Sequence, residues 1–390
     1  MLQFIKGINK MKRCNMSVNF GNKLLGFGMM RLPKIVTGEK EEILYDKVCE
    51  MVDYFLENGF NYFDTAHGYH KTFSEVAVKK CLSSRHSRDK YILTNKLTAM
   101  YFEKKEDIEP LFMNQLEACG VEYFDNYLIH SVSKNNYGKY MDCEAFEVVK
   151  SLKERGFIKH IGMSFHDSAE LLDKILSEHE EIEMVQIQFN YIDFDDKIVQ
   201  SKACYDVCRK HNKEIIIMEP VKGGKLANLP KDARKILEDL NGGSMASYAI
   251  RFAASFEGVK MVLSGMSSLD EMKDNLSYMK DFKKINDKER KAIDRVVEIL
   301  NSIDLIPCTT CEYCLEGCPQ NIRIPSMISI LNQKKMYETA NFEHNYDLAT
   351  RTNGKASECI ECGHCESVCP QHIEIIDALK DVVEKIENQI

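Results

Sequence analysis

The chain has 390 residues, 44% hydrophobic and 29% charged, the make-up of a folded globular protein long enough for two unequal domains. A net charge of -8 gives no general attraction for nucleic acid or an anionic membrane, and no apolar run reaches the roughly 18 residues of a membrane span. Fifteen cysteines in so long a chain, with no secretory leader, argue against a disulfide scaffold, so a cytoplasmic location is expected.

Residues 1–20 read as a tail, because Lys6, Lys10, Lys12 and Arg13 break any apolar core of a signal peptide. From 21 to 285, short apolar runs alternate with helical patterns: LLGFGMM, NYFDTA, YILTNK, NYLIH, HIGMSF, MVQIQFN, IIIMEP and KMVLSG. These eight strand candidates are rich in Ile, Val, Leu and Tyr, and their near-continuous apolar character suits parallel strands buried on both faces. The pattern predicts an α/β fold, a (β/α)8 TIM barrel. A doubly wound sheet is the weaker choice, since no G-x-G-x-x-G follows an early strand.

Polar residues close the apolar runs: Asp64, Lys96, His130, Ser164 and Gln188, the first four being 32, 34 and 34 residues apart. Barrel strands all end on one face, where barrel active sites lie, so these groups are predicted to be neighbours around one mouth. A linking helix is expected over 286–303, and a small second domain over 304–390. There Cys308, Cys311, Cys314 and Cys318 follow the spacing C-x2-C-x2-C-x3-C, with Pro319 next. Cys359, Cys362, Cys365 and Cys369, followed by Pro370, repeat it 51 residues later, and CPQNIRI after the first run matches CPQHIEI after the second. The two-residue gaps let three thiolates of one loop converge on one centre. Zinc also takes C-x2-C pairs but has no use for a three-plus-one run with its proline. A helix is predicted over 325–337, between the repeats. The seven cysteines scattered through the first 300 residues read mostly as reduced packing residues.

The double cysteine run resembles the bacterial two-cluster ferredoxins, in which the fourth cysteine of each run serves the other cluster. That resemblance implies two 4Fe-4S clusters in a ferredoxin-like domain. One would sit on Cys308, Cys311, Cys314 and Cys369, the other on Cys359, Cys362, Cys365 and Cys318.

Over about residues 20–285 the chain resembles the aldo-keto reductases. The likeness rests on FDTAHGYH with Asp64 and Tyr69, TNK ending at Lys96 and YLIH ending at His130. GFGMMRLP, IGMS at Ser164, QIQFNY at Gln188 and LSGMSSLDEMKDNL add to it. With the cysteine-rich tail, the whole resembles the iron-sulfur branch of that family. The resemblance implies an oxidoreductase performing NAD(P)H-linked reduction of an aldehyde, ketone or related small molecule. In it Tyr69 is the general acid, Lys96 lowers the tyrosine's pKa, Asp64 holds Lys96, and His130 orients the proton transfer. It assigns Ser164 and Gln188 to the nicotinamide carboxamide. Lys222, Gly223, Gly224 and Leu226 belong to one phosphate loop, Gly265, Met266 and Ser267 to a second, and Asn275 to the adenine. Glu271 stands where many relatives have an arginine for the 2'-phosphate, which leaves NADH against NADPH open. His67 and His70 read as pocket lining. The expected partners are a small-molecule carbonyl substrate and an electron-transfer protein, with the clusters relaying electrons. Two other readings stay open. A flavin can replace or supplement the nicotinamide as converter between hydride and single electrons, or the chain is a non-catalytic electron carrier or regulatory subunit on a reductase scaffold.

Overall fold

The computed structural model describes residues 18–21, 23–37, 40–303, 305–336 and 342–389, so most of the expected tail lies outside the described residues. Eight strands form a closed parallel barrel: β1 (Leu25–Gly28), β2 (Tyr62–Asp64), β3 (Ile92–Leu97), β4 (Phe124–Val132), β5 (Ile158–Phe165), β6 (Met184–Gln188), β7 (Glu214–Met218) and β8 (Val259–Ser264). Each strand pairs with its sequence neighbours, and β1 closes the ring against β8 and β2. All eight predicted runs are therefore barrel strands. An antiparallel ribbon, Lys34–Thr37 against Lys40–Ile43, follows β1.

The runs are continuous rather than alternating because both faces are buried. Tyr62, Ile92, Leu128, Met184, Ile216 and Met261 form one apolar cluster, joined by Phe20, which stacks on Tyr62 at 6.2 Å. Their strand neighbours, among them Phe63, Leu93, Ile129 and Ile217, belong to the larger cluster shared with the surrounding helices. This period of two sorts side chains between bore and outer layer.

After the barrel, Asn286 starts the helix Asp287–Asn301 by accepting from the amides of Lys288 and Glu289, while Glu289 accepts from the Asn286 amide. Ala292, Ile293 and Val296 of this helix join the barrel's outer core, and Glu289 pairs with Arg251 at 2.8 Å. A separate core then gathers Ile324, Met327, Ile328 and Leu331 of helix Ile324–Met336 with Ile375, Leu379 and Val382 of helix Ile375–Lys385. The first of these is the helix predicted between the cysteine repeats.

The two cysteine loops share a backbone path. Left-handed residues fall at Thr310 (φ 54°), Glu312 (67°) and Asn321 (50°) in the first, and at Glu361 (54°), Gly363 (75°) and His372 (51°) in the second. Each pair stands 51 residues apart, the interval of the cysteine repeat. Only one of the six is glycine, so five side chains accept a conformation that is uncommon outside glycine. Among the described residues, no helix is long and apolar enough to cross a membrane.

Candidate active site

Strands β2, β3 and β4 bring Asp64, Lys96 and His130 to the mouth, and the loop after β2 carries Tyr69 to them. The Lys96 ammonium donates to Asp64 Oδ1 at 2.5 Å and to the Thr65 carbonyl at 2.8 Å, and stands 3.4 Å from the Tyr69 hydroxyl. All four predicted catalytic side chains are buried, Lys96 and Asp64 almost completely. Burial pushes the Lys96 ammonium down and the Asp64 carboxyl up, and their mutual contact opposes both shifts. His130 is held well below its ordinary pKa, chiefly by burial and then by the charge of Lys96, so its ring is neutral near pH 7; its Nδ1 lies 2.7 Å from Thr98 Oγ1. The rings of Tyr69 and His130 meet edge to face at 6.0 Å.

Tyr69 departs from the sequence-based expectation. Its hydroxyl is raised well above the ordinary phenol range, first by burial and then by Tyr313, Asp64 and Glu219. Lys96 is close, but the desolvated site as a whole favours the neutral phenol. The two flanking histidines serve the loop rather than the pocket. His67 Nδ1 meets Glu75 at 2.8 Å, and His70 Nε2 accepts from the Leu32 amide at 3.1 Å. This second bond helps fix the consecutive left-handed residues His70, Lys71 and Thr72, which turn the chain back into the helix Phe73–Ala77.

A long groove runs from Asp64 and Tyr69 past Gln186 and Met218 and between two loops to Glu271, Asp274 and Asn275. Of the residues assigned to a cofactor, Gly223, Gly224, Gly265, Met266, Ser267 and Asn275 line it. The other four are engaged elsewhere. Lys222 is ion-paired with Asp193, Leu226 is core, and Ser164 Oγ accepts from the Ser131 amide at 2.7 Å. Gln188 is bound on both its amide atoms by Gln371, at 3.0 and 2.7 Å, and donates to Asp193 at 2.7 Å. The glutamine on the groove is Gln186, two residues earlier on the same face of β6. Its Oε1 is buried with no hydrogen-bond partner among the described residues. Sequence reasoning passed it over because both glutamines point inward and only the last ends the apolar run.

The cysteines assemble across the repeats. Cys369 is close enough to Cys308, Cys311 and Cys314 to oppose their ionisation, while Cys318, Cys359, Cys362 and Cys365 surround one hollow walled by Ile322, Ile324 and Leu379. Two sets of four thiols with apolar surroundings fit clusters that take only thiolate ligands. Among the described residues, no three His, Cys, Asp or Glu side chains converge on a single-ion site.

These loops lie over the barrel mouth. Arg31 donates to the Thr309 carbonyl at 2.6 Å, Lys225 to the Ile306 carbonyl at 2.8 Å, and His372 Nε2 sits 3.1 Å from the His166 carbonyl. Gly223 (φ 64°) passes so near the first cysteine loop that a Cβ there would stand 2.4 Å from the Thr309 carbonyl oxygen. Between Cys311 and Cys314, Tyr313 stands near enough to Tyr69 to be among the causes that raise the Tyr69 hydroxyl.

Residues 24–298 match the sequence profile of the aldo/keto reductase family, and residues 307–374 match that of a 4Fe-4S dicluster domain. An uncharacterized oxidoreductase, YqkF of Bacillus subtilis, is 21% identical over 281 residues, 64% of this chain and 87% of its own. Human aldo-keto reductase family 1 member C3 is 27% identical over 158 residues, 36% of this chain, and the match spans 46% of the human protein. Among solved structures, aldo-keto reductase AKR11C1 from Bacillus halodurans in its holo form superposes with a TM-score of 0.58 at 23% identity, covering 71% of this chain and 95% of that one. An aldo-keto reductase from Klebsiella pneumoniae in complex with NADPH gives 0.57 at 16% identity, covering 70% and 90%.

Proposed function

The chain belongs to the aldo/keto reductase family and carries a C-terminal 4Fe-4S dicluster domain, and from that premise we propose that it reduces an aldehyde, ketone or related small carbonyl compound at Tyr69. The observation that carries this reading is the buried Asp64, Lys96 and Tyr69 constellation at the inner end of a long groove. NADPH and NADP in structures that share the barrel support placing NAD(P)H in that groove. Reduced nicotinamide, when bound there, supplies a hydride. Tyr69, held protonated, donates to the substrate oxygen as charge develops on it. Lys96 stabilises the phenolate left behind, and Asp64 keeps Lys96 in place. Neutral His130, tied through Nδ1 to Thr98, orients the oxygen. The unpartnered Gln186 Oε1 would accept from a carboxamide N–H, and the loops carrying Gly223, Gly224 and Gly265 would flank the pyrophosphate.

The far end of the groove is acidic. Glu271 accepts from the Ser267 amide at 2.7 Å, and Asp270 and Asp274 line the same end, an arrangement that repels a 2'-phosphate. NADH is therefore the preferred donor. Glu271→Arg should move the ratio of kcat/KM values toward NADPH by at least about tenfold, since like charges placed together cost several kcal/mol. An unchanged ratio in steady-state assays would show that this end does not hold the ribose.

For the second domain, Cys308, Cys311, Cys314 and Cys369 hold one cluster, and Cys318, Cys359, Cys362 and Cys365 hold the other. When bound, they exchange single electrons. The nearness of Tyr313 to Tyr69 supports a relay to the barrel rather than a remote brace, with an electron-transfer protein as outside partner. The reading is tested by anaerobic oxidation of NADH and NADPH against a panel of small aldehydes and ketones. Turnover with none of them would remove carbonyl reduction as the function.

A further inference from the structure

The groove assigned above to a dinucleotide is acidic for such a ligand. Besides Asp64, which is paired with Lys96, it is lined by Glu219, Asp270, Glu271 and Asp274, and among the described residues Arg31 is its one cationic side chain. The nearby Lys222 is held by Asp193, and Lys225 donates to the Ile306 carbonyl at 2.8 Å. A diphosphate carries two negative charges, and a groove of the same sign repels it unless a cation stands where it lies.

Arg31 ends the short turn Met29–Arg31 that follows β1, so the first barrel strand delivers it to the mouth. Its stem crosses the loop of Gly265. A Cβ on Gly265 would stand 3.1 Å from Arg31 Cδ, and Ser267 Oγ donates to the Arg31 carbonyl at 2.9 Å. Its head reaches the loop of Gly223. The guanidinium donates to the Thr309 carbonyl at 2.6 Å, and a Cβ on Gly223 would stand 2.4 Å from that same oxygen. Arg31 therefore spans the gap between the two glycine loops. Of its five N–H groups, one goes to Thr309 and one to Thr310 Oγ1 at 3.2 Å. Glu219 at 3.8 Å is too far for a hydrogen bond, and the other N–H groups have no hydrogen-bond partner among the described residues. The side chain is 27% exposed, so it is open to a ligand in the groove.

We propose that Arg31 binds the diphosphate of the cofactor, supplying the positive charge that the groove otherwise lacks; this rests on the nicotinamide reading of the groove given above. The two oxygens of the cysteine loop hold the guanidinium across the glycine loops, and its remaining N–H groups donate to phosphate oxygens. A planar fork suits two phosphate oxygens better than the point charge of a lysine.

ADP-ribose, which carries the diphosphate, and adenosine, which carries none, are the probes, each titrated calorimetrically into cluster-loaded protein without oxygen. Arg31→Met keeps most of the stem and removes the charge, so ADP-ribose should bind about 10- to 100-fold more weakly, the worth of a hydrogen bond between charged groups. Adenosine should bind as it does to wild type. Arg31→Lys, with the charge but not the fork, should weaken ADP-ribose by about 2- to 10-fold. Iron content matching wild type establishes that the cysteine loop is in place, and the lysine variant decides if the methionine variant loses iron. Unchanged ADP-ribose affinity in the deciding variant, or an equal loss for adenosine, makes Arg31 an anchor of the cysteine loop alone; that overturns the proposal and leaves the nicotinamide reading standing. Wild-type protein that does not bind ADP-ribose overturns the proposal outright, and if NADH also fails to bind, the nicotinamide reading falls with it.

Discussion

Replacing Tyr69 by phenylalanine should lower carbonyl reduction by about 100- to 10,000-fold, the usual loss for a missing general acid, and should leave the iron content unchanged. The ring stays, so its edge-to-face packing on His130 is kept. Only the proton donor is lost. Lys96→Met should cost a similar factor for a different reason. It removes the cation next to the phenol and strands the Asp64 carboxylate, whose Oδ2 already lacks a hydrogen-bond partner among the described residues. A buried charge left without its partner is strongly unfavourable, so this variant should also be less stable. Because burial and Tyr313 raise the Tyr69 pKa, the donor remains protonated at neutral and mildly alkaline pH. Reduction should show no loss of the acid between about pH 6 and about pH 9, below the ordinary phenol pKa near 10. Rates near wild type in Tyr69→Phe, measured with an established substrate, would mean that another group supplies the proton.

Changing Cys369 to alanine should remove the cluster of the first loop, and iron per chain should fall from about eight atoms to about four. In sequence Cys369 belongs to the second run, yet in space it stands with Cys308, Cys311 and Cys314. The decisive comparison is spectroscopic. With crossed ligands, the paramagnetic signal lost in Cys369→Ala is the one lost in Cys311→Ala. With uncrossed ligands it is the one lost in Cys362→Ala.

The barrel was legible in the sequence because each strand is buried on both faces and stands out as an apolar run. The gathering of Asp64, Lys96 and His130 was legible because a charged or polar group closing such a run, at intervals of one strand and helix, falls on one rim. Less legible was which of two inward glutamines faces the groove. Gln186 and Gln188 share a face of β6, and only the position of Gln371 reveals that the outer one is taken. The docking of the cysteine loops on the mouth was not legible at all. Tyr313 reads as an arbitrary residue inside a C-x2-C spacing, and the Tyr69 it stands near lies at the other end of the chain. The Tyr69 pKa was misjudged for a related reason. A lysine nearby predicts a lowered value, whereas the raised one follows from burial and a second phenol, and the second phenol comes from the other domain.

The central claim is that barrel and clusters form one redox unit. Its most direct test is anaerobic: reduce the clusters with a low-potential donor, add an established carbonyl substrate, and follow the cluster signal by paramagnetic resonance. The relay predicts loss of the reduced-cluster signal in step with product formation, and persistence of the signal in Tyr69→Phe. Reduced clusters that keep their signal in the presence of that substrate, in protein that reduces the same substrate with NADH, would contradict it, and would leave the C-terminal domain a structural brace.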